Sequence, residues 1–311
     1  MKLGFIGTGK LASAILRGVC ASGKVGSGDI IIYDINSAVV DSLTAELGVK
    51  AGSSAAEVAS SAEYVFVAVK PKDIPSLIGS IAAEGREHDP VFISTAAGTQ
   101  LSRLKELFGY DVRVVRIMPN INAAVGEAMT AVCPDEFVTK EQADFVLGLC
   151  GCFGRAIMLD EKYFSVFTAV AGSAPAFAYL FADALAVAGI KYGMTAAEAK
   201  ETAAQMLYGS AKMLLESPLS ADELIKNVCS PAGTTVEDYL PAGSFVRGRL
   251  LTGVYASTGA GAASQPLPMV IRLEDTAVLP NAWRSQVTAC HVTASATGDL
   301  SSERAFVRLD R

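Results

Sequence analysis

The chain has 311 residues, 51% of them hydrophobic and 19% charged, with a net charge of −6. That composition excludes a disordered chain, and the mild acidic balance lacks the basic patch that nucleic-acid binding requires. The length makes two domains the expectation. Six cysteines, at 20, 133, 150, 152, 229 and 290, include no CxxC pair, and Cys150 and Cys152, two apart, do not have a metal-finger spacing, so buried free thiols are expected. The N-terminus runs straight into a strand-like segment rather than a secretory signal. The longest apolar runs carry Gly, Ser, Pro and charges, so no membrane span is expected either. These features point to a reducing, cytoplasmic protein. His88 and His291 are the two histidines. His88 sits in a charged stretch, Glu84 to Asp89, that reads as a solvated loop, and neither histidine has the context of a hydrolase triad.

Residues 2–7 read as a buried strand running into Gly7-Thr8-Gly9-Lys10-Leu11-Ala12, a GxGxxA turn. Leu11, Ile15 and Val19 then recur at helical spacing. Gly7 permits the tight turn, Gly9 lets the backbone approach a pyrophosphate, and Ala12 keeps the helix close to the strand. A second strand, Asp29 to Tyr33, ends in Asp34, 22 positions after Ala12. A carboxylate there hydrogen-bonds a ribose 2′-hydroxyl and repels a 2′-phosphate, favouring NADH over NADPH. On the motif alone, Asp34 reads equally well as a cap for a helix over 37–48.

Further strands are expected at Ala62–Val69, Pro90–Thr95, Asp111–Arg116 and around Met129–Val132, with helices at 73–84, 100–108 and 139–153. Strands alternating with helices imply a parallel, doubly wound sheet whose ligands bind beyond the carboxyl ends of the strands. The distinctive loops 7–12, 34–36, 69–73, 94–98 and 116–120 all fall at such ends. Lys70, just before the rigid Pro71, is therefore a candidate contact rather than an ordinary surface lysine.

From about residue 160 the period becomes helical. Lys162 to Gly189 is one long Ala-rich segment, interrupted at Gly172-Ser173-Ala174-Pro175, where Pro kinks or restarts a helix. Helices over 195–216 and 220–228 open with capping boxes, Thr195 with Glu198 and Ser220 with Glu223. Their apolar residues lie on more than one face, which predicts burial against a second subunit. The turn Val228-Cys-Ser-Pro-Ala-Gly-Thr-Thr235 follows. It reads either as a helix cap or as a nest of backbone N–H groups that seats a small anion.

The motifs Gly4–Ala12, Ala68–Pro71, Ser94–Gly98, Arg116–Asn120, Ala171–Ala176 and Val228–Thr235 occur in this order. With them the chain resembles the pyrroline-5-carboxylate reductases. The resemblance implies an N-terminal Rossmann domain at 1–157 and an all-α dimerisation domain at 158–258. It also implies hydride transfer from NADH or NADPH to the C=N carbon of 1-pyrroline-5-carboxylate, giving L-proline, in a homodimer or higher homo-oligomer. Ser230 and the backbone around Ala232, Gly233 and Thr234 would hold the substrate carboxylate, and Thr235 would face the ring nitrogen. Val69, Lys70, Pro71, Ala96, Ala97, Met118, Pro119 and Asn120 would border the nicotinamide, beyond the turn Gly7–Leu11. An imine reacting as its iminium needs orientation and a polar partner at nitrogen rather than a strong acid or a metal.

Three departures stand out. Ala55 takes the place of a commoner Asn, and Ala232 that of a commoner Gly. After Glu237, Asp238-Tyr-Leu-Pro241 interrupts the expected helix. Residues 259–311 match nothing in the family and show no sustained period, so they are expected to be largely disordered, as if reading-frame slips had replaced the end of the helical domain. Two other functions compete. A β-hydroxyacid dehydrogenase relative would need a Lys with an Asn four residues on, whereas Lys162 is followed by Val166. A cofactor-binding protein without turnover draws support from the atypical C-terminus alone.

Overall fold

The computed structural model describes residues 2–228 and the segments 248–250, 267–273, 291–299 and 304–309. The chain divides into two compact units, Met1–Tyr208 and Gly209–Arg311. The first opens with β1 (Leu3–Ile6), α1 (Lys10–Ser22), β2 (Ile30–Tyr33), α2 (Ser37–Leu47), β3 (Lys50–Ala51), α3 (Ala55–Ser61), β4 (Tyr64–Val67) and α4 (Ile74–His88). It continues with β5 (Val91–Ser94), α5 (Leu101–Phe108), β6 (Val114–Met118), β7 (Ala128–Pro134), α6 (Lys140–Cys150) and β8 (Gly154–Met158). Then come α7 (Phe164–Phe167), α8 (Pro175–Lys191) and α9 (Ala196–Glu216), which runs past the unit's end.

Eight strands form one sheet in the order β3-β2-β1-β4-β5-β6-β7-β8. Strands β1 to β6 pair in parallel, as the alternation predicts. The β6–β7 pair departs from that and is antiparallel. Only a short 3-10 turn at Ile121–Val125 joins the two, and a parallel return needs a longer crossover. Strands β1, β4 and β5 are buried along their whole length, as a sheet covered on both faces requires. Alternate residues feed two cores. Leu3, Phe5, Phe66 and Ile93 meet Ile15, Val19, Leu43 and Leu149 from α1, α2 and α6. Ile6, Val65, Val67 and Phe92 meet Val58, Ile78, Ile81 and Leu104 from α3, α4 and α5. Phe5 and Phe66 stack with centroids 4.5 Å apart.

Two local expectations are corrected. Residues 84–88 are the last turn of α4, not a loop, although His88 is exposed as expected. The helix α3, absent from the sequence reading, is capped by Ser54, whose side chain accepts from Glu57 N, while Glu57 accepts from Ser53.

Residues 161–208 carry the expected helices. The segment before Pro175 is a π-turn at Thr168–Gly172, with Ser173 N donating to Thr168 O. Pro175 supplies no N–H and clashes with the preceding turn, so the widened turn lets the helix resume with Pro near its start. Both capping boxes form: Thr195 N donates to Glu198 and Glu198 N to Thr195 Oγ1. Ser220 and Glu223 repeat the pattern at α10 (Ala221–Val228), in the second unit. The domain boundary expected after residue 157 falls inside the first unit. Bonds tie the residues beyond it to the sheet and its edge: Leu159 N donates to Val132 O on β7 at 3.0 Å, Arg116 Nη1 to Glu161 at 2.7 Å, and Asn120 Nδ2, just after β6, to Ala171 O at 3.0 Å.

The second unit also contains β9 (Gly248–Leu250), β10 (Leu267–Leu273), β11 (His291–Asp299) and β12 (Arg304–Leu309). They form an antiparallel sheet in the order β12-β11-β10-β9. Strand β9 lies within the stretch 158–258 expected to be all-α, and β10 to β12 lie within the stretch 259–311 expected to be largely disordered. Their β-branched residues, such as Val270, Ile271, Val292 and Thr293, suit extended backbone without needing a helical period.

Candidate active site

Strand β1 ends at Ile6 between two neighbours that hold the following turn. Gly7 N donates to Tyr33 O on β2, and Ala68 N, after β4, donates to Ile6 O. Gly7 has φ +92°, and a Cβ there would lie 2.7 Å from Ala68 O. Only glycine fits. Gly9 is the N-cap of α1, extended at φ −63° and ψ 177°, and a Cβ there would meet nothing within 4 Å. The first N–H groups of α1 have no acceptor within the helix, and they face that open space with the positive end of the helix dipole. This is the arrangement that receives a phosphate. Ser13 Oγ donates to Thr8 O at 2.8 Å and fixes the turn from behind.

Asp34 follows β2 and reaches back to the same turn. Its Oδ2 accepts from Thr8 N at 2.6 Å and from Thr8 Oγ1 at 3.1 Å, and its Oδ1 accepts from Asn36 N at 2.9 Å. The helix α2 is capped by Asn36 without a side-chain bond, so Asp34 is not its cap. Beside it, Ile35 is 95% exposed.

A cleft of about 620 Å³ opens along the carboxyl ends of β1, β2 and β4. Gly7, Gly9, Asp34, Val69 and Lys70, all expected cofactor contacts, line it. Its volume lies in the range of cofactor sites. Thr8 is 2% exposed and contributes through Asp34, while Lys10 and Leu11 begin α1 and Pro71 starts the 3-10 turn behind Lys70. Met118 ends β6, and Ala96, Ala97, Pro119 and Asn120 follow β5 and β6 on the same edge of the sheet, but none of them lines this cleft. The Asn120 amide is taken up within the fold: besides its bond to Ala171, it accepts from Asn122 N and Met129 N. Sequence reasoning missed Ser54, Ser76 and Ser80, which add hydroxyls to the cleft wall, and Ile35, which adds an apolar face. The Ser-x-x-Glu spacing at 54–57 was the available signal for the first of these.

Ser230, Ala232, Gly233, Thr234 and Thr235 lie outside the described residues. Among the described residues no group of His, Cys, Asp or Glu is arranged to hold a metal. Burial pushes the Cys20, Cys133 and Cys150 thiols up, which makes them poor nucleophiles.

Residues 2–98 match a family model described as NADP oxidoreductase, coenzyme F420-dependent. Residues 161–239 match one described as pyrroline-5-carboxylate reductase dimerisation. The chain is 40% identical over 236 residues to pyrroline-5-carboxylate reductase of Escherichia coli, covering 76% of this chain and 87% of that protein. The chain belongs to the pyrroline-5-carboxylate reductase family. A relative of the same name from Arabidopsis thaliana is 34% identical over 258 residues, 82% of this chain and 92% of that one. A solved pyrroline-5-carboxylate reductase from Coxiella burnetii superposes with a TM-score of 0.71 at 29% identity, covering 75% of this chain and 86% of that one.

Family membership also bears on Glu161–Lys191, which is long and apolar enough to cross a membrane and is mostly exposed. It falls within the dimerisation match, and Val170, Phe177 and Leu180 are about 70% exposed there.

Proposed function

We propose that the chain reduces 1-pyrroline-5-carboxylate to L-proline, the last step of proline biosynthesis, in the cytoplasm. The observation that carries this reading is the glycine turn opening onto a dinucleotide-sized cleft, in a chain 40% identical to a reductase of that name. The reduced nicotinamide supplies the hydride that the imine carbon takes up. The turn at Gly7–Gly9 and the start of α1 seat the pyrophosphate, and Asp34 binds the adenosine ribose. Val69 and Lys70, which also line the cleft, border the nicotinamide. The match of Val228–Thr235 to the family motif supports Ser230 and the N–H groups near Ala232 and Gly233 as the carboxylate seat. Thr235 Oγ1 orients the ring nitrogen and relays to it a proton drawn from water, which balances the hydride at carbon. The exposed apolar residues between 166 and 181 pack against a second copy of the chain, giving a homodimer or a larger homo-oligomer.

NADH is the proposed donor, because a 2′-phosphate would place like charge beside Asp34. The expected result is a kcat/KM for NADH at least about tenfold above that for NADPH, read from nicotinamide oxidation with 1-pyrroline-5-carboxylate. Faster turnover with NADPH would refute this role of Asp34. Tight dinucleotide binding without turnover would instead favour a cofactor-binding protein, a reading that rests on the family match ending at residue 239.

A further inference from the structure

A carboxylate that only reads a ribose hydroxyl would wait at the cleft wall for its ligand. Asp34 is already engaged. Two protein donors hold Oδ2 and one holds Oδ1. Both donors on Oδ2 belong to Thr8, the middle residue of the glycine turn, whose side chain is almost wholly buried. Thr8 N is flanked by Gly7 at positive φ and by Gly9 with open space around its Cα. The two glycines add no side-chain packing on either side of Thr8. A charge-assisted bond from a backbone N–H is among the stronger ties available to this turn.

We infer that Asp34 is a positioning residue for the phosphate-binding turn, for either dinucleotide, in addition to its reading of the ribose. The inference rests on the proposed dinucleotide site but asks a different question of it. As a ribose reader alone, Asp34 would oppose NADPH, and removing its carboxylate would strengthen NADPH binding. As a positioning residue it also supports the pyrophosphate that both donors share, and removing every acceptor at position 34 would weaken both. The two roles separate by chemistry. Asparagine lacks the charge that repels a 2′-phosphate but keeps a carbonyl oxygen able to accept from Thr8 N. Alanine keeps neither.

The test compares Asp34→Asn and Asp34→Ala in the full chain. The first readout is amide exchange of Thr8 in the protein free of dinucleotide. The second is the affinity for NADH and for NADPH, by calorimetric titration. Asp34→Ala is expected to speed Thr8 exchange at least about tenfold, with the core strands unchanged, and to weaken both dinucleotides. Asp34→Asn is expected to keep most of the protection and to bind NADPH about tenfold more tightly than Asp34→Ala does. Equal exchange and equal NADPH affinity in the two variants would overturn the inference. Failure of the unsubstituted protein to bind either dinucleotide would sink the proposed function instead, and the exchange comparison would still decide whether Asp34 holds the turn.

Discussion

Replacing Gly7 by Ala is expected to cost about 2–4 kcal/mol of stability and at least about a hundredfold in dinucleotide affinity. Two independent penalties combine at this position. At φ +92° an L-residue is strained. The new Cβ would also lie 2.7 Å from Ala68 O and 2.9 Å from Ala68 C, both backbone atoms that cannot rotate away. Relief requires the turn to move off the end of β4, which breaks the bond from Gly7 N to Tyr33 O and shifts the start of α1. Gly9→Ala separates the effects. Its φ of −63° is ordinary and its Cβ meets open space. Stability should change by less than about 0.5 kcal/mol, while the methyl group intrudes where the pyrophosphate approaches. Thermal unfolding with NADH titration of both variants checks this pair. Equal stability losses would contradict the assignment of the two glycines.

Glu161→Ala is expected to destabilise the first unit by about 2–4 kcal/mol. Its Oε1 accepts from Arg116 Nη1 at 2.7 Å and from Leu101 N at 2.8 Å. The Arg116 guanidinium is buried and lies 4.6 Å from the Phe164 ring centroid, and its Nε has no partner. Loss of Glu161 would leave a buried cation without its counter-charge and the first N–H of α5 without its acceptor. Solvent reaches part of Glu161, which holds the estimate below that for a fully buried pair. Adding Arg116→Met should recover much of the loss, because no charge is then stranded. Urea unfolding of the two single variants and the double variant closes this cycle. A Glu161→Ala loss below about 0.5 kcal/mol would show that the pair is not what joins residues 161–164 to β6.

The same residues show where sequence reasoning stopped. Strand, glycine turn, helix and acid were legible because each rests on local chemistry: buried runs, positive φ, an apolar helical stripe. The antiparallel β7 was not, since strand direction depends on connection length rather than on the residues of the strand. The motif placed Asn120 near the nicotinamide but gave no sign that its amide bonds to Ala171, 51 residues away. No spacing rule carries a contact of that separation. The cleft hydroxyls of Ser76 and Ser80 sit on α4, whose apolar stripe was visible but whose rotation about its own axis was not. In the tail, the absence of a helical period was read as disorder, yet pairing between distant segments needs only extended backbone and a partner.

Hydride transfer to a ring C=N bond leaves an isotopic signature when NADH carries deuterium at the transferred position and the purified full chain is given 1-pyrroline-5-carboxylate. L-proline with one deuterium on the ring carbon next to nitrogen that does not bear the carboxylate is expected. NADH binding without deuterated proline, or deuterium at any other carbon, would contradict that transfer.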